Sequence, residues 1–203
     1  MTTKNVSVNK IAVALLALSL TACGGKKAEH EHEGHAEEAT AASEAPAAAA
    51  PQYTADPEFK KQLTGVFDSY ALLKDAFVSS DGAKVKQEAT ATLGALDKVD
   101  MKLVDGAAHH DWMTYVESMK KSLQEMNSAA DIAAQRTAFS NLSNELYKTI
   151  KAYGLSGETA YYEYCPMAFD NKGAYWLAKE EKIRNPYFGD EMLTCGSVQE
   201  TLR

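Results

Sequence analysis

Four stretches of the chain place apolar side chains at intervals of three and four, the spacing that gathers one face of an α-helix. In the first, Leu63, Val66, Phe67, Tyr70, Leu73 and Phe77 share a face. Asp56-Pro57 ahead of them supplies an N-cap and a proline at the first helical position. Asp81-Gly82 restarts the chain, and Val85, Ala89, Leu93 and Leu96 mark a second helix ending near Lys98. A connector from Val99 to Gly106 leads to a third, with Trp112, Val116, Met119, Leu123 and Met126 in register. Asp131 caps a fourth that carries Ile132, Phe139, Leu142, Leu146, Ile150 and Tyr153, and Gly154 is the expected stop. Amphipathic helices with short joins predict an all-α fold, an antiparallel four-helix bundle over 56–203. None of the four carries the Glu-x-x-His pair from which bundles build di-iron centres.

Beyond Gly154 the period shortens. Thr159 to Cys165 is β-prone, Ala174 to Leu177 is a second short strand, and Asp170-Asn171-Lys172-Gly173 between them is a turn. The bundle is therefore expected to end in a small β-hairpin and loop cap. Asn185-Pro186-Tyr187-Phe188-Gly189 is another turn, which returns Asp190 to Cys195 towards the hairpin. Tyr161, Tyr162, Tyr164, Tyr175, Trp176, Tyr187 and Phe188 are read as packing that seats this cap, with Trp176 at its centre.

The N-terminal pattern is of another kind. Lys4 and Lys10 precede an apolar run, Ile11 to Leu20, too short for the ~20 helical residues that cross a bilayer core. Leu20-Thr21-Ala22-Cys23 then reads as a lipobox, so residues 1–22 are expected to be a lipoprotein signal peptide and Cys23 the lipidated residue. From there to residue 55, Ala, Glu, Gly and Pro dominate without apolar periodicity, the composition of a disordered linker. His30, His32 and His35 alternate with glutamates in this stretch and are candidates for weak chelation of Cu(II), Zn(II) or Ni(II), set against a plain polar spacer. The chain's net charge is −7, and without residues 1–22 it has 19 basic against 28 acidic residues. Such a surface excludes a nucleic-acid partner and leaves the lipid as the only membrane attachment.

With Cys23 assigned to lipid, Cys165 and Cys195 remain as a pair, each beside a methionine: Cys165-Pro166-Met167 and Met192-Leu193-Thr194-Cys195-Gly196. Thiolates and thioethers together favour Cu(I) over hard cations. Cys165, Met167, Met192 and Cys195 are thus candidate ligands of a sulfur cage. The competing reading is a Cys165–Cys195 disulfide with both methionines as filling and no cofactor. Closing that loop of about 30 residues stabilises by roughly 3–4 kcal/mol in the chain-entropy argument. His110 and Met113, one helical turn apart, are candidate additional ligands of the same cage. Catalysis is not expected: the chain has no glycine-rich phosphate loop, no H-E-x-x-H and no nucleophile elbow.

The tail from Tyr161 to Val198 resembles an uncharacterised bacterial envelope family, whose members occur as lone lipoproteins or attached to periplasmic adaptor subunits of heavy-metal efflux pumps. The matching residues are Cys165-Pro166-Met167-Ala168, Gly173, Trp176-Leu177, Ile183, Asn185-Pro186-Tyr187-Phe188-Gly189, Met192-Leu193 and Cys195-Gly196. The resemblance implies a lipid-anchored envelope protein that handles metal, in association with an efflux component.

Overall fold

The computed structural model describes residues 50–203. The expected signal peptide, Cys23, and His30, His32 and His35 lie outside the described residues.

The helices form where the apolar faces predict them. They are α1 (Pro57–Val78), α2 (Gly82–Leu96), α3 (Gly106–Ser128) and α4 (Ile132–Tyr153). Three of their starts follow from aspartates whose carboxylates accept orphan backbone N–H groups, while Asp105 ahead of α3 makes no such side-chain bond. Asp56 accepts from Glu58 N, Asp81 from Lys84 N at 2.9 Å, and Asp131 from Ala134 N at 2.8 Å. Gly154, at φ 74°, ends α4 in a conformation other residues adopt only at a cost. A 3-10 turn, Met101–Leu103, interrupts the connector between α2 and α3.

Successive helices pack on one another, α1 on α2, α2 on α3 and α3 on α4. The last two run antiparallel: Tyr153 Oη donates to Ala108 O, and Gln135 Nε2 donates to Met126 O. Aromatic side chains fill the space between them, with Phe59 edge-on to Trp112 and Tyr70 stacked on Phe139 at 5.3 Å. The fold also begins earlier than the linker boundary at residue 55. Tyr53 packs on Tyr153, donates its N–H to Ala152 O and its hydroxyl to Asp111. One aromatic ring with two hydrogen bonds suffices to order a stretch whose composition reads as spacer.

The C-terminal part contains the expected hairpin and adds a third strand to it. Three antiparallel strands, β1 (Ala160–Cys165), β2 (Ala174–Ala178) and β3 (Ser197–Leu202), form a sheet in the order β2-β1-β3. Cys165 pairs with Ala174 and Glu163 with Trp176, while Tyr164 pairs with Ser197 and Ala160 with Leu202. The third strand is hard to see in the sequence because it has only two aliphatic side chains, and a bulge at Tyr162/Glu163 breaks its alternation against β1. The sheet joins the helices through β2, whose Leu177 N–H donates to Tyr70 Oη at 3.1 Å. Among the described residues no helix is long and apolar enough to cross a membrane.

Candidate metal centre

Cys165 is the last residue of the central strand and is fully buried. Cys195 stands two residues ahead of β3, half-buried. Since Ser197 pairs with Tyr164, the register carries Cys195 to the end of β1 where Cys165 sits. Both are free thiols, and the Cys195 side chain neighbours Cys165 and the Met167 backbone. Burial first, and the neighbouring Cys165 second, push the Cys195 thiol up to about 11. At neutral pH it is therefore protonated and a poor nucleophile, and a metal must displace its proton in order to bind.

Four residues shape the loop that brings the two sulfurs together. Gly196 approaches the sheet so closely that a Cβ there would lie 2.8 Å from Trp176 Cη2 and 3.0 Å from Tyr164 O, at φ 141°. Asn185, fully buried, organises the returning loop. Its N–H donates to Leu193 O, its Nδ2 to Cys195 O at 2.8 Å, and its Oδ1 accepts from Tyr187 N at 2.7 Å. Tyr187 then anchors the loop, its hydroxyl donating to Tyr175 O while its ring meets Trp176 and Phe139. Arg136 of α4 adds a hydrogen bond from Nε to Pro186 O at 3.0 Å.

Met167 follows Cys165 by two residues and is 46 % exposed, so its thioether is open to an incoming ion. Met192, half-buried, opens the turn closed by Cys195 N donating to Met192 O. Next to Met167 the backbone is unusual. Phe169, Asp170 and Asn171, within the one-turn segment α5 (Ala168–Asn171), have φ values of 52°, 57° and 64°. A left-handed residue costs roughly 1–2 kcal/mol, less for Asp and Asn, whose side chains bond locally. Phe169 offsets its share by setting its ring edge-on to Tyr187.

His110 and Met113 do not join this group. They lie in the first two turns of α3, the end that faces the C-terminus of α4 through Ala108 and Tyr153. The sulfur end instead adjoins the start of α4, where Ala168 and Phe169 line a groove with Ala133 and Thr137. The 16 residues of α4 between Thr137 and Tyr153 place the two ends roughly 24 Å apart at ~1.5 Å per residue. Of the expected ligands, only Cys165, Cys195, Met167 and Met192 belong to the sulfur end. No set of three His, Cys, Asp or Glu side chains that could hold an ion occurs among the described residues.

Sequence reading passed over one group beside the cysteines. Glu163, two residues before Cys165 on β1, is fully buried, and neither carboxylate oxygen has a hydrogen-bond partner. Burial raises it to about 8, against the opposing pull of Lys74 and of the Trp176 indole, which faces it across the strand pair. Lys74 of α1 is buried too, its Nζ 3.0 Å from Asp75 and 3.6 Å from Glu180. A glutamate in a β-prone run reads as an outward position, and only the bulge beside it reveals otherwise.

The family model of a protein of unknown function (DUF3347) matches residues 66–158, a span that takes in most of α1 and all of α2 to α4 but stops before β1 and both sulfur motifs. No curated protein matches the chain. No solved structure matches it either.

Proposed function

We propose that this is a lipid-anchored protein of the bacterial envelope, an antiparallel four-helix bundle capped by the sheet, that binds a soft metal ion. Cu(I) is the ion favoured by the donor set, for buffering or for transfer to a heavy-metal efflux component. The observation that carries this reading is the meeting of Cys165 and Cys195 at one end of the sheet with the Met167 thioether exposed beside them. Two thiolates and up to two thioethers suit Cu(I) and serve Zn(II) or Mg(II) poorly. The thiolates would supply charge, and the neutral thioethers would hold the ion loosely enough for exchange. The protein is read as a carrier, not an enzyme, because burial holds the Cys195 thiol protonated and without the activation a nucleophile needs.

The same contact between thiols favours one other reading, a structural module stapled by a Cys165–Cys195 disulfide. Anaerobic titration with Cu(I) against a chelator distinguishes them. The carrier takes up about one equivalent whose affinity rises with pH, since the metal must displace thiol protons, and Cys165→Ser with Cys195→Ser removes that pH-dependent uptake. Equal uptake by the double variant, or quantitative disulfide in protein purified under air with no uptake after reduction, overturns the carrier.

A further inference from the structure

Among the described residues four large apolar side chains stand exposed, and three are methionines: Met101 at 45 %, Met113 at 41 % and Met167 at 46 %, with Leu72 the fourth. Methionine is ordinarily buried, so exposure in a protein with a buried Met119 and Met126 on the same helix asks for a cause. Met167 belongs to the sulfur site. Met101 and Met113, from different elements, border one groove of about 360 Å³ at the far end of the helices, floored by Trp112 and Val116. His110 lies one turn before Met113 on α3 and shares with it the rim of the adjoining groove.

Met101 is not on a loose loop. Asp100 ahead of it donates its N–H to Gln62 Oε1 of α1 at 2.8 Å and accepts from Lys102 N at 3.0 Å, which fixes the 3-10 turn. Of the three lysines that line this groove, Lys98, Lys102 and Lys120, the last is paired with Asp97 at 2.6 Å.

We propose that Met101, Met113 and His110 form a second soft-metal site, made of neutral donors only, that takes a monovalent Cu(I) or Ag(I) ion. Two thioethers and an imidazole select such ions over hard or divalent ones, and binding them expels no proton from sulfur. The site shares only the class of ion with the cysteine pair and works whether those cysteines are reduced, oxidised or replaced.

The test uses Ag(I) alone as probe, on the whole chain carrying Cys165→Ser and Cys195→Ser, with isotope-labelled methionine methyl groups observed by NMR. The Met101 and Met113 signals shift together along one saturating curve, accompanied by the His110 ring, while Met119 and Met126 stay put. Met101→Leu then weakens the response left at Met113 by about tenfold or more, as expected for losing one of few contacts to a metal. Independent, non-saturating shifts of the two methyls, or no shift at all, overturn the proposal. With both cysteines absent, neither result depends on whether the sulfur cage exists.

Discussion

Asn185 has three hydrogen bonds, and all of them serve the loop that delivers Cys195. Because its amide is fully buried, truncation leaves Cys195 O and Tyr187 N without partners, at a cost of about 1–3 kcal/mol for each group left unsatisfied. Asn185→Ala should therefore lower stability measurably in urea unfolding and weaken Cu(I) binding as well, whereas a purely structural role would move the first alone. Glu163 leads to a different expectation. Its carboxyl is near 4.5 when the chain unfolds and about 8 when folded, so between those values the folded protein holds the extra proton. Stability from this group is complete below about pH 4.5 and falls as pH rises, by up to about 1.4 kcal/mol per pH unit until pH 8. Thermal unfolding from pH 5 to 8 should show that decline, and Glu163→Gln should flatten it. Neither residue's role was visible beforehand: Asn185 read as a turn former, and the burial of Glu163 depends on a bulge and on Lys74 arriving from α1.

At the scale of elements, what the sequence states locally it states clearly. The four helices and the aspartate caps of α1, α2 and α4 follow from adjacent residues, and so do β1, β2 and the turn between them. β3 does not, because its pairing is decided by a partner strand more than thirty residues earlier and by Gly196. Gly196→Ala tests that dependence. The added methyl would meet Trp176 and the Tyr164 carbonyl at a positive φ, so it should destabilise by about 1–3 kcal/mol, the usual range for overpacking, and shift Cys195 away from Cys165. Hydrogen exchange should report the loss in β3 and leave α2 and α3 protected. Equal loosening throughout would mean that the sheet is not a separate element carried on the helices. The left-handed run at Phe169–Asn171 was legible only in part. Asp-Asn-Lys-Gly announces a turn, but nothing in that tetrapeptide says that the preceding phenylalanine is drawn into it by the Tyr187 ring.

Taken whole, the molecule pairs a helical scaffold, the part that resembles DUF3347, with a small sheet flanked by the two cysteine motifs. The spacing of the two cysteine motifs made their meeting foreseeable once the tail was seen to fold back. The expectation that His110 and Met113 would join them failed because α3 carries these residues to the opposite end of α4, and sequence separation gives no measure of that distance. The net charge of −7 suits a chain that attracts cations, though the site itself lies within one turn of two strands. The central claim is that sulfur from both motifs holds one ion. X-ray absorption at the copper edge tests it most directly, on anaerobic protein carrying Met101→Leu and Met113→Leu to remove the second site and loaded with about one equivalent of Cu(I). The account predicts a first shell of sulfur alone at about 2.3 Å, close to other metal–thiolate bonds, which disappears in Cys165→Ser with Cys195→Ser. A shell of nitrogen and oxygen that the double substitution leaves unchanged would contradict it.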